Sequence, residues 1–208
     1  MIYADDNDCW DICKPEHLWI FDKLIVAKKL GHLAGPAGVP VPADSYYVVR
    51  PIMNLKMMSR GASIKRLTPE LSLDETHVPD GFFWQEQFEG RHLSVDYLYG
   101  KQTLCVEGFR KNGNLARFSM WKKVSDVIQM PAIFEEISKT YQWLNLELVD
   151  GKVIEAHLRF NDDFANHDYN TIIPVWKDTF APPTTRAEFY PSPCGDRLGF
   201  WIYNGPVA

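Results

Sequence analysis

The sequence predicts an α+β fold built on antiparallel sheets, and three observations carry that reading. Between residues 80 and 160, β-branched and aromatic runs alternate with tight turns at Glu89-Gly90, Gly100-Lys101, Asn112-Gly113 and Asp150-Gly151. Turns that short join antiparallel neighbours, because a parallel pair needs a crossover of about a dozen residues or more. Helical patterning is confined to residues 16–30 and 131–142. The 208 residues suffice for one large domain or two small lobes sharing a cleft.

Residues 1–15 read as an acidic N-terminal extension that starts Met1-Ile2-Tyr3-Ala4-Asp5-Asp6. It lacks the basic and apolar regions of a signal peptide, so the cytoplasm is the default location. Within it Cys9 and Cys13, with His17 beyond, recur every four residues and can share a helical face. A zinc site there needs a fourth ligand that the sequence does not offer, and the other reading is a segment with free thiols. Residues 16–30 form a helix with Leu18, Phe21 and Ile25 on its apolar side. Residues 32–42 are rich in Gly and Pro and make a connection. A strand at 46–52 follows, then a loop holding Asn54, Lys56, Ser59, Arg60 and Gly61.

The dense region contains strands at 82–88, 92–99, 103–110 and 115–122, expected as a meander. Pro131 opens the second helix, as proline tolerates a first helical turn. Strands at 143–149 and 152–159 flank Asp150-Gly151, the clearest hairpin signal in the chain. Residues 172–208 form a proline-rich tail. Its segments 186–190 and 198–203 are expected as a last hairpin packing on the domain.

A net charge of −5 argues against a broad phosphate-backbone footprint, and so against nucleic acid as a partner class. No apolar run is long enough to span a membrane. The four cysteines contain no Cys-x-x-Cys pair.

Chemistry concentrates in residues 150–161. Side chains two apart on a strand share a face, which groups Glu155, His157, Arg159 and Asn161, with Glu147 available from the preceding strand. Such a mixture is costly to bury unless a ligand or metal satisfies it. Oxygen ligands such as Glu155 hold magnesium between phosphates, while arginine neutralises charge on a transferred group. An amphipathic hairpin whose polar face meets water gives the same pattern.

Glu155-Ala156-His157-Leu158-Arg159 resembles the closing Glu-x-Asn-x-Arg motif of the ATP-grasp superfamily, in which the Glu and Asn bind magnesium and the Arg contacts phosphate or the reacting carboxylate. The resemblance implies that Glu155 is a metal ligand and Arg159 a catalytic cation. His157 replaces the usual Asn and is a poorer magnesium ligand, with Asn161 as the compensating donor. Glu147 is the implied acidic ligand on the strand before, and Asn145 is the alternative. Upstream, Trp84-Gln85-Glu86-Gln87-Phe88-Glu89-Gly90 is similar to the family's adenine-reading hinge. Glu86 matches the hinge glutamate, Gln87 and Phe88 the backbone contacts, and His92 a ribose-binding position. Tyr47-Val48-Val49-Arg50-Pro51 resembles the strand carrying a phosphate-binding lysine, with Arg50 in its place. Lys28 and Lys29 sit near another lysine position, and a solvated helix face is their other reading. The segment 57–63 stands where a glycine-rich loop is expected and holds one glycine, with Ser59, Arg60 and Ser63 as substitutes.

The resemblance covers about residues 20–161. It implies a two-lobed ATP-grasp-like fold, residues 16–80 and 81–171, with antiparallel sheets enclosing a nucleotide cleft. ATP and Mg2+ are the implied cofactors. The implied reaction joins a small-molecule or peptide carboxylate to an amine-like acceptor through an acyl phosphate, with Arg50 and Arg159 stabilising spread charge. A catalytically weak nucleotide-binding or protein-binding module is the alternative. Relatives carry a further N-terminal domain, so a homo-oligomer or a partner is expected to supply that wall of the pocket.

Overall fold

The computed structural model describes residues 6–53, 61–110, 115, 117–164, 169–179 and 187–203. Two antiparallel sheets organise them. The smaller has the order β1-β4-β2-β3, from β1 (Ala34–Pro36), β2 (Ser45–Pro51), β3 (Ser63–Leu67) and β4 (Phe82–Glu86). The larger has eight strands in the order β11-β12-β10-β7-β6-β5-β8-β9. Its members are β5 (His92–Leu98), β6 (Lys101–Arg110), β7 (Phe118–Lys123), β8 (Trp143–Val149), β9 (Lys152–His157), β10 (Thr171–Trp176), β11 (Glu188–Cys194) and β12 (Arg197–Tyr203). The helices are α1 (Asp6–Ile12), α2 (Lys23–Lys29) and α3 (Glu135–Thr140). No helix among the described residues is long and apolar enough to cross a membrane.

The expected Asp150-Gly151 turn forms, with φ of 52° and 73°, the positive values that a two-residue hairpin requires. The next turn up the chain falls on Tyr99-Gly100 rather than Gly100-Lys101, again with positive φ at both residues. Glu89-Gly90 is no hairpin: β4 pairs with β1 and β2, and the chain then crosses to the larger sheet at β5. Local turn chemistry marks a change of direction but cannot say which sheet receives the next strand. Asn112-Gly113 lies outside the described residues.

The helix expected at 16–30 is interrupted. Pro15–Phe21 is a 3-10 helix, Asp22 is extended at φ −97° and ψ 102°, and α2 starts afresh at Lys23. The Asp22 side chain accepts the Ile25 N–H at 2.8 Å, a helix cap, and its backbone bridges Met53. Apolar periodicity ran through this break because both pieces bury the same side against the larger sheet.

One face of that sheet carries the main core. Leu93, Val95 and Tyr97 of β5 stand beside Leu144, Leu146 and Leu148 of β8, under Ile20, Phe21 and Val26 and under Phe134, Ile137 and Tyr141. In β9 a bulge sets two residues, Val153 and Ile154, against Leu148. Strict alternation would give Val153 and Glu155 one face. The bulge resets it, so Val153 and Ala156 face the core while Glu155 and His157 face the other way. The smaller sheet has its own core around Val49, Leu67 and Trp84. Gly35 passes so close to the Trp84 ring that a Cβ there would lie 2.5 Å from it. The tail extends the larger sheet edge to edge, sealed by Val106, Tyr169, Ile172 and Phe200 and by the Arg197–Asp163 ion pair.

Candidate functional site

A cleft opens between the two sheets. Val48, Arg50, Pro51, Ala62, Ile64, Gln85 and Glu86 line it from the smaller sheet and its flanks. Arg110, Val149, Ile154 and Glu155 line it from the larger. Lys23 enters from α2, and Gln87 and Phe88 from the crossing segment. Apolar walls suited to a ring system therefore share one space with three cations and two carboxylates.

Beside the cleft, register places two polar rows across β5, β8 and β9. Ser94, Glu147 and Glu155 make one, and Asp96, Asn145 and His157 the other. Glu155 is 6% exposed, and its Oε1 lies 3.2 Å from Lys23 Nζ and 3.5 Å from His157 Nε2. That oxygen has no hydrogen-bond partner among the described residues. Glu147 Oε2 lies 3.3 Å from His92 Nε2, and Arg110 Nη2 lies 3.1 Å from His92 Nδ1. A guanidinium only donates, so Nδ1 is the acceptor and the ring proton sits on Nε2, facing Glu147. Burial pushes the His92 pKa down, in keeping with a neutral ring. Burial opposes ionisation of Glu147, yet His92, His157 and Arg110 together hold its pKa below the usual carboxylate value. The state consistent with this geometry is an anionic Glu147 beside a neutral His92, because Arg110 blocks a second proton at Nδ1.

Arg50 is 6% exposed, donates from Nη2 to Gln85 Oε1 at 2.7 Å and to the Ile154 carbonyl at 2.8 Å, and stacks on Phe83. The carbonyl belongs to the bulge residue, so the irregularity that turns Glu155 toward the cleft also anchors Arg50. Burial pulls the Arg50 pKa down, and Glu155 and Glu147 oppose that.

The other expected residues divide. Glu86 accepts the Leu33 N–H on Oε1 at 2.9 Å, clasping β1's approach, while Phe88 sits under Lys152 Nζ at 4.4 Å. His92, 4% exposed, is not among the cleft-lining residues; it meets Glu147 and packs edge-on against Phe118 and Trp121. Lys28 and Lys29 are exposed at the end of α2, away from the cleft, with Lys29 over Trp19. The helix break is the reason: a helix that starts at Lys23 buries Lys23, Val26 and Ala27 and turns its last two lysines outward. Arg159 and Asn161 do not extend the Glu155 face, because β9 stops at His157. Arg159 is not among the cleft-lining residues, and its Nη1 reaches the Phe160 carbonyl at 3.3 Å. Asn161 donates its backbone N–H to Asp96 and its side-chain N–H to Ser94, and its Oδ1 accepts from Asp163 N. Asn145 Nδ2 donates to Asp96 and Ser94. Ser59 and Arg60 lie outside the described residues.

Cys9 donates to the Leu158 carbonyl, and Cys13 and His17 meet only through the Tyr141 hydroxyl. None of the four cysteines is in a disulfide. Among the described residues no group of three His, Cys, Asp or Glu could hold a metal ion. Magnesium needs fewer, since it takes one or two carboxylates and completes its shell with water and phosphate oxygens. Glu147 and Glu155, register partners with a buried Glu155 oxygen free of hydrogen bonds, fit that requirement. His157 and Asn161 do not, one turned to Glu155 and the other with its Oδ1 committed to the Asp163 amide.

Lys23, Gln85, Arg110 and Asp96 were not singled out from the sequence. The alternation His92-Leu93-Ser94-Val95-Asp96 was a usable signal for the polar face. Nothing local distinguished Lys23 from Lys28.

No family model matches the sequence, and no curated protein is similar to it. Solved structures are. A protein of Archaeoglobus fulgidus assigned to the ATP-grasp superfamily superposes with a TM-score of 0.52 at 18% identity, over 90% of this chain and 64% of its own. An L-amino acid ligase from Bacillus licheniformis gives 0.52 at 12% identity, over 88% and 66%. The ADP complex of an N5-carboxyaminoimidazole ribonucleotide synthetase gives 0.56 at 10% identity, over 89% and 68%. The chain thus spans just under two thirds of the length of the first two.

Proposed function

On the ATP-grasp fold that this chain has, we propose that it binds ATP in the inter-sheet cleft and uses it to join a carboxylate to an amine or similar nucleophile. The observation that carries the reading is the buried Glu155 beside Arg50 and Lys23 in the lining of a cleft that also has apolar walls, with Glu147 as its register partner on β8. Val48, Ile64, Phe88 and Ile154 would enclose the base, and the hinge backbone at Gln87 and Phe88 would read its edge. Lys23, Arg50 and Arg110 would meet the phosphates. Magnesium, held by Glu147 and Glu155, would neutralise charge between phosphates. Transfer of the terminal phosphoryl group to a carboxylate gives an acyl phosphate and ADP. Attack by the amine then forms the amide and releases phosphate, so no protein nucleophile is required. Arg50 and Lys23 act by stabilising charge where it spreads in the transition state.

A nucleotide-binding module with little turnover is the second reading, and Arg159 favours it, since the cation assigned to catalysis lies outside the cleft lining. Calorimetry with ATP and magnesium tests the shared premise. Arg50→Met is expected to weaken ATP binding at least tenfold and Arg159→Met less than threefold. Phosphate release screened over carboxylate and amine pairs separates the two readings: ATP binding with no release from any pair favours the module. Absence of ATP binding by the parent protein removes both.

A further inference from the structure

We propose that Lys23 holds the place of a divalent cation at Glu155 in the free protein, so that metal enters the site only with the nucleotide. The inference rests on the reading of the cleft given above and adds an order of binding to it. Lys23 is 5% exposed at the first residue of α2, and its ammonium lies 3.2 Å from Glu155 Oε1. Both side chains are almost wholly buried, so neither charge is screened by water. Yet Glu155 Oε1 makes no hydrogen bond among the described residues, and the pair is held by charge alone.

The surroundings add to the bias. Arg50 reaches the Ile154 carbonyl next to Glu155, and Arg110 reaches Glu147 through His92. Counting Lys23, three fixed cations surround two carboxylates. A divalent ion entering alone must displace the ammonium while facing two guanidinium groups. It has no phosphate oxygens to complete its shell. Polyphosphate changes both terms. It offers the ammonium, a point charge on a flexible stem, another partner, and it brings the oxygens that magnesium needs. Glu155 is then released to the metal.

Manganese alone, titrated into the full chain and followed by the loss of its free-ion electron paramagnetic resonance signal, is the probe. The parent is expected to bind no manganese below about 1 mM, and to gain a site at least tenfold tighter when a non-hydrolysable ATP analogue is present. Lys23→Met, with folding checked by circular dichroism, is expected to bind manganese without nucleotide. Lys23→Met/Glu155→Gln is expected to lose that site. Parent protein that binds manganese equally well with and without the analogue overturns the proposal, as does a folded Lys23→Met that gains no metal. Should Lys23→Met not fold, Lys23→Gln serves the same arm. If the analogue does not bind, the nucleotide reading falls, but the metal-only comparison of parent and variant still decides the role of Lys23.

Discussion

The Lys23–Glu155 pair shows why residue type is a poor guide to residue role in this protein. A glutamate on a polar strand face looks exchangeable for glutamine, but here its loss leaves an ammonium buried. Removing one member of a buried pair typically costs about 3–5 kcal/mol. Glu155→Gln is therefore expected to lower unfolding free energy by about 3 kcal/mol as well as weaken magnesium-supported ATP binding. The double variant Lys23→Met/Glu155→Gln should recover much of that stability, which urea titrations of the four proteins would measure. Asp96 makes a pH-dependent case. Burial raises its pKa to about 6, against the Asn161 amide and Asn145, which favour the anion. A carboxyl whose pKa is higher folded than unfolded binds more protons in the native state, so stability falls as pH rises from about 4 to 6 and then levels. Relative to the parent, Asp96→Asn should gain about 3 kcal/mol of stability between pH 4 and pH 7. A flat difference across that range would show that the carboxyl titrates normally.

At the scale of elements, the irregular places position the cleft chemistry. Asp22 ends one helix, caps the next and thereby puts Lys23 at the start of α2 rather than in mid-helix. Asp22→Ala is expected to cost about 1 kcal/mol through the lost cap. It should also weaken ATP binding, because Lys23 loses its fixed origin; an unchanged affinity would mean that the cap serves stability alone. The β9 bulge has the same double character, turning Glu155 out of the core and giving Arg50 the Ile154 carbonyl. Regular packing, by contrast, supplies stability: Leu146, fully buried on β8 in the main core, should cost about 2–5 kcal/mol when cut to alanine.

For the molecule as a whole, β10 is central only because β12 covers it, and Phe200 and Ile202 close the cluster over Val106 and Ile172. A chain ending at residue 179 should expose that edge and those side chains, and so lose solubility on size-exclusion chromatography. The sequence by itself determined the α+β class, the antiparallel hairpins and the polar strand carrying Glu155. These rest on turn geometry and side-chain alternation, which act between near neighbours in the chain. The order of segments closing on Glu155-Ala156-His157-Leu158-Arg159 also sufficed to suggest the ATP-grasp fold. Only the tertiary structure decided that β4 leaves the meander for the other sheet, that β9 stops before Arg159, and that Lys23 rather than Lys28 or Lys29 reaches the carboxylates. Those outcomes depend on which strand edges meet and which charges can be buried together, energies set between residues as far apart as Lys23 and Glu155.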